Sequence, residues 1–184
     1  MAFRFTRSAV AGLSFLLAGT VGAFAGEQYV DETGFAVSGY DPVAFYELDQ
    51  ASVGANQPAA VPGKTSITTE WNGAQWAFSS EENRDKFIAN PEQYAPQYDG
   101  HCAYGLAQGG KVPGNPNLWR IVDGKLYLNI NPAVVGFWEE DIPGYITTAD
   151  NNWNTAEATP ASDRSWTTID SNKPTIQSSA PITN

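Results

Sequence analysis

Ser66-Ile67-Thr68-Thr69-Glu70-Trp71-Asn72-Gly73-Ala74-Gln75-Trp76-Ala77-Phe78-Ser79-Ser80-Glu81-Glu82 carries two changes of local structure within seventeen residues. Asn72-Gly73 lies between two runs that read as strands, Ser66 to Trp71 and Ala74 to Phe78. Both turn residues tolerate positive φ, the requirement of a two-residue hairpin loop. The pattern then switches. Ser79-x-x-Glu82 reads as a capping box and opens a helix through Asn83-Arg84-Asp85-Lys86-Phe87-Ile88-Ala89, with Phe87 and Ile88 toward the core. A hairpin that feeds straight into a helix points to an α+β fold. Upstream, Glu27 to Val37 reads as an extended or loosely helical lead-in. Gly39-Tyr40-Asp41-Pro42 reads as a turn, Val43 to Tyr46 as a short apolar segment, and Asp49 to Lys64 as a surface loop.

Downstream, Asn90-Pro91, with Gln93 as partner to the cap, starts a second helix that Pro96 keeps short. Gly100 to Ala107 is a small-residue segment, read as a short helix closed by Gly109 and Gly110. Leu118 to Val122 and Lys125 to Ile130 form a second hairpin about Asp123-Gly124. Asn131-Pro132 opens a helix to about Ile142, stopped by Pro143-Gly144, and Tyr145 to Trp153 is a last helical or turn segment. From Asn154 to Asn184 the composition shifts to Thr, Ser, Pro, Ala and Asn, with Trp166, Ile169, Ile176 and Ile182 as the large apolar residues. Too little apolar surface is available there to offset backbone ordering. The expected architecture is therefore a small α+β domain of two β-hairpins packed against several short helices, followed by a disordered C-terminal tail over 154–184.

The chain has 184 residues and a net charge of −10. It has no basic stripe, which argues against a nucleic-acid partner. Residues 1–25 have the parts of a secretory signal peptide: Arg4 and Arg7, an apolar stretch from Ala9 to Val21, and Ala23-Phe24-Ala25 as a cleavage site. The apolar run is shorter than the ~20 residues that span a bilayer, so no transmembrane segment is expected after cleavage. The expected location is periplasmic or secreted. Loss of Arg4 and Arg7 takes the charge from −10 to −12.

Counts of single residues narrow the chemistry further. One Cys (Cys102), one His (His101) and one Met exclude intramolecular disulfides, CxxC motifs and Cys/His zinc cages. Cys102 in a Gly/Ala-rich segment is either a small buried hydrophobe or a thiol that binds metal or reacts with oxidants, with His101 beside it. A Cys/His nucleophile pair lacks a third, orienting group. Asp150-Asn151-Asn152-Trp153-Asn154 imitates the first half of a calcium loop, but Thr155 stands where Gly is needed and Ala161 where Glu is needed. Glu139-Glu140-Asp141 reads as a solvated acidic end of a helix. No P-loop, dinucleotide fingerprint or nucleophile elbow occurs.

Taken together, Gly39-Tyr40-Asp41-Pro42-Val43, Trp71-Asn72-Gly73, Trp76 to Arg84, Asn90 to Tyr98 and Cys102-Ala103-Tyr104 resemble the YHS-domain proteins, and most closely their secreted bacterial branch. The resemblance runs over roughly Gly39 to Trp153 and sets the expected domain at 26–153. It implies a fold related to the TRASH-type metal-binding modules. Metal-binding YHS modules carry cysteines at the positions of Ala44, Ser79 and Asn83, so this chain lacks those three thiols. Cys102 remains, with His101 where the branch has an aromatic residue. The expected function is non-enzymatic binding of a metal ion (copper, iron or zinc) or a small ligand near Cys102 and His101. The alternative is an accessory or scaffold subunit of an envelope complex that docks a protein partner through residues 154–184.

Overall fold

The computed structural model describes residues 26–52 and 56–176; the expected leader, 1–25, and the end of the expected tail, 177–184, lie outside the described residues. Asn72 and Gly73 both take positive φ, 48° and 72°. They join β1 (Lys64–Trp71) to β2 (Ala74–Phe78) as an antiparallel pair. Asp123 and Gly124, at 50° and 74°, do the same between β3 (Asn115–Val122) and β4 (Lys125–Asn129). The hairpins stay separate two-stranded sheets. An isolated hairpin is marginal in water, so each depends on helices for cover. These are α1 (Glu81–Ala89), α2 (Pro91–Tyr94), α3 (Ala103–Ala107), α4 (Pro132–Glu139) and α5 (Ile142–Ala156).

β4 divides the core. Leu126 and Leu128 join one cluster with Trp76, Phe78, Phe87 and Trp119, while Tyr127 between them joins a second with Tyr98, Leu106, Trp138 and Ala149. Alternate residues of a strand face opposite sides, so one short strand serves both clusters. The expected α+β architecture of two hairpins and short helices is what the chain adopts.

Several local expectations are corrected. Ser80, not Ser79, caps α1, its Oγ accepting from the Asn83 N–H at 3.2 Å. Phe87 is fully buried, but Ile88 is 56% exposed. Neighbouring helical residues diverge by ~100°, and this helix buries only one narrow face. Asn90 makes no side-chain cap bond to α2. Asn131 does cap α4, accepting from the Val134 N–H at 3.0 Å. Pro143-Gly144 does not end that helix. Pro143 sits in the first turn of α5, where a missing N–H costs nothing, and Asp141 caps that turn by accepting from the Gly144 N–H at 3.1 Å. Asp141 thus stands at the end of a helix where negative charge is favourable. Asp150 to Asn154 lie within α5, so they form no calcium loop.

The tail expectation is corrected up to Ile176. Asn154 to Ala156 complete α5, and the chain then returns across the domain. Trp166 is buried and its indole N–H donates to Ser38 Oγ at 2.9 Å. Buried Asn172 donates to the Ile130 and Trp166 carbonyls, each at 2.8 Å. Lys111 Nζ donates to the Ala156, Glu157 and Thr159 carbonyls at 3.2, 3.4 and 2.8 Å, closing the end of α5. Averaged composition misses such docking, because one Trp in a formed slot and one Asn matched to main-chain carbonyls can hold an otherwise polar strap. Among the described residues no helix is long and apolar enough to cross a membrane.

Candidate functional site

His101 and Cys102 lie between a 3-10 turn (Gln97–Gly100) and α3, in extended backbone. His101 bridges to Pro113, and Cys102 pairs in parallel with Leu128 of β4. Consecutive side chains in extended backbone point to opposite sides. The two residues accordingly share no hydrogen-bond partner: adjacency in sequence does not bring them to one site.

Cys102 is fully buried and caps α3. Its Sγ accepts from the Gly105 N–H at 3.3 Å and donates to Asn129 Oδ1 at 3.5 Å, and the same Asn129 oxygen accepts from the Tyr104 N–H at 3.2 Å. Burial pushes the thiol up to about 11, against the opposing pull of backbone N–H groups, the Gly105 bond foremost. At neutral pH it is a protonated, sheltered thiol, and the thiolate is the reactive form.

His101 is equally buried, and both of its ring nitrogens are engaged. Nδ1 lies 2.8 Å from the Tyr98 carbonyl, and Nε2 accepts from the Ser162 N–H at 3.1 Å. A carbonyl can only accept and an amide N–H can only donate. The ring is therefore the neutral Nδ1–H tautomer, with its Nε2 lone pair turned to the strap. Burial is the main cause that holds the imidazole down to about 4; the Tyr98 bond and Glu27 oppose it, and Lys111 adds to it. Tyr29 meets the ring edge-on at 5.8 Å.

A third residue was not legible as a site. Asp41 is wholly buried, and its carboxylate accepts five hydrogen bonds. Oδ1 takes the Val43 and Ala44 N–H groups at 2.9 and 3.3 Å. Oδ2 takes the Ser79 N–H at 2.8 Å, the Ser79 hydroxyl at 2.6 Å and Asn83 Nδ2 at 2.8 Å. Ala44, Ser79 and Asn83 are the three positions where the resemblance implies cysteine ligands. Here they converge on a carboxylate through N–H and O–H donors. Such a shell suits an anion and offers no soft donor to a metal. The Asp41-Pro42 pair, set in a turn, was the available signal, since Asp binds backbone N–H groups two and three residues on. Among the described residues no group of three or more His, Cys, Asp or Glu is placed to hold a metal ion.

The fold and these sites define a small α+β module stapled by a buried carboxylate, with a thiol and an imidazole each locked by internal bonds. Residues 57–98 match the family model of the YHS domain, a family associated with metal binding. The matched segment takes in β1, β2, α1 and α2, including Ser79 and Asn83, and ends before His101. No curated protein and no solved structure matches the chain.

Proposed function

We propose that the protein is an exported, non-enzymatic YHS-type binding module of the periplasm or the secreted space, in which a transition-metal ion is taken by His101 Nε2. One observation carries this reading: Nδ1–H is anchored on a backbone carbonyl, the arrangement that orients metal-ligating histidines, and the opposite nitrogen keeps a neutral lone pair. Access requires the Ser162 N–H to withdraw, so the strap over 157–176 acts as a cover. Cys102, close in sequence, is the thiol that supplies a second ligand if the backbone at 101–102 turns on binding. The non-enzymatic part is supported by the Cys102 thiol, which is buried, caps α3 and is sheltered from a substrate. The accessory-subunit reading through residues 154–184 is less favoured, since the strap spends its anchors Trp166 and Asn172 on its own domain.

Titration of the mature chain with Cu2+ and Zn2+ by calorimetry, with metal content of purified protein, tests the proposal. Ser162→Pro removes the N–H that occupies Nε2 and should tighten binding at least ~10-fold. His101→Asn, which keeps a donor for the Tyr98 carbonyl, and Cys102→Ser should each weaken it. Binding that is absent in both wild type and Ser162→Pro, or unchanged in His101→Asn, overturns the reading.

A further inference from the structure

The predicted cut after Ala25 makes Gly26 the first residue of the mature chain, and Gly26 is not a free end. It is buried, and its carbonyl accepts from Asn72 Nδ2 at 3.2 Å. A side chain at Gly26 would run into Asp99 Oδ2 and come within 2.9 Å of the Glu157 carbonyl. The Asp99 carboxylate therefore stands against the Gly26 α-carbon, one bond (~1.46 Å) from the Gly26 nitrogen.

Asp99 needs a partner at that spot. Its Oδ1 accepts from Gln28 Nε2 at 2.7 Å, but Oδ2 is buried with no partner among the described residues. Oε1 of the same Gln28 amide is also buried without a donor. Lys111, whose charge acts on Asp99, commits its ammonium to the Ala156, Glu157 and Thr159 carbonyls. Asp99 is moreover held at a positive φ of 52°, a conformation that non-glycine residues keep only where surrounding structure enforces it. A buried oxygen left unpaired in this way costs on the scale of a lost hydrogen bond or more.

We propose that removal of the leader creates the missing partner: the new α-ammonium of Gly26 pairs with the buried Asp99 carboxylate and locks the mature N-terminus into the fold. The proposal rests on the leader reading. Hydrolysis by a signal peptidase consumes one water and breaks the Ala25–Gly26 C–N bond. Ala25 leaves with a carboxylate, and the Gly26 nitrogen becomes an amine that takes a proton. Before the cut that nitrogen is an uncharged amide with one N–H; afterwards it carries a positive charge and three donors, beside the unpaired Asp99 Oδ2 and a neighbouring Glu157. The lock reaches the strap as well, because Glu27 Oε2 accepts from the Ala161 N–H at 3.0 Å, one residue before the Ser162 that covers His101. Processing thus tightens the N-terminus together with the strap near Ala161, and the uncut precursor stays looser there.

The test compares three chains: one released from a fusion so that Gly26 is first, the same chain N-acetylated, and one that retains Ala25. The α-amino group of the Gly26 chain, followed by NMR or competitive acylation, should titrate more than one unit above the ordinary 7.7–8.0 of a chain terminus. Its acylation at pH 7.5 should be at least ~10-fold slower than that of the Ala25 chain. The acetylated and Ala25 chains should melt at least ~3 °C lower. Asp99→Asn should abolish both differences, and the unsubstituted comparison stands if that variant does not fold. An ordinary amine titration with equal melting of the three chains overturns the lock. N-terminal sequencing of exported protein tests the leader reading separately: a first residue other than Gly26 overturns that reading, while the engineered chains still report on the ion pair.

Discussion

Replacing Asp41 by Asn changes one atom's chemistry and leaves the shape nearly intact, which makes it a sharp probe of the buried staple. The carboxylate accepts two N–H groups on Oδ1 and three donors on Oδ2. An amide must turn its NH2 toward one of these sets. The less costly choice faces the Val43 and Ala44 N–H groups and leaves two buried main-chain donors without an acceptor. Each such loss costs ~1–3 kcal/mol, so about 4 kcal/mol is expected in total. That is a large share of the ~5–15 kcal/mol that holds a typical domain together. In urea unfolding of the mature chain, followed by tryptophan fluorescence, an m-value of ~2 kcal/mol/M converts the loss into a midpoint lower by about 2 M. Ser79→Ala, which removes the hydroxyl donor and keeps the N–H, should cost only about 1 kcal/mol. Combined with Asp41→Asn, its cost should shrink, because the two residues share one network. A change under ~1 kcal/mol for Asp41→Asn would refute the claim that this carboxylate organises the junction of the Gly39–Pro42 turn, β2 and α1.

Further outcomes follow from the strap, the thiol and the imidazole. Trp166→Ala should destabilise the chain by about 3–5 kcal/mol and open residues 157–176 to limited proteolysis; a neutral effect would mean that the strap does not dock. Native Cys102 should react with a maleimide at pH 7.5 at least ~100-fold more slowly than in urea-unfolded chain, because it is buried and its thiol titrates at about 11; equal rates would contradict the capping role. His101 titrates at about 4 in the fold against 6.5 when free, so above pH 6.5 both states are neutral and it contributes no pH dependence. As pH falls from 6.5 to 4 the unfolded chain takes up the proton first, and stability drops by up to ~3 kcal/mol. Asp99, raised to about 6 from 3.8 without its proposed counter-ion, acts with the opposite sign between those values, so the quantity to measure is wild type minus His101→Asn; a difference flat from pH 7 to 4 would refute it.

The turns and caps were legible because they are local. Asn72-Gly73 and Asp123-Gly124 set both hairpins through φ alone, and Asn131 set the start of α4 through a bond three residues long. Errors arose where a distant group competed for a local one. Ser79 has the spacing of a helix cap, yet Asp41, thirty-eight residues earlier in the chain, takes its hydroxyl and leaves capping to Ser80. Pro143-Gly144 signals a break equally well at the end of one helix or the start of the next, and only the packing of α5 on α3 chooses.

Composition by itself determined that any thiol or imidazole chemistry concerns Cys102 and His101, because the chain holds no other residue of either type. Tertiary structure decided that the two face different partners, that the ligand positions implied by the resemblance close around Asp41, and that a polar tail lies over His101. The physical reason is one of range. Backbone conformational preferences act over a few residues and can be read from letters. Satisfying a buried carboxylate or imidazole requires donors from anywhere in the chain, and which donors arrive is settled only when the chain is packed.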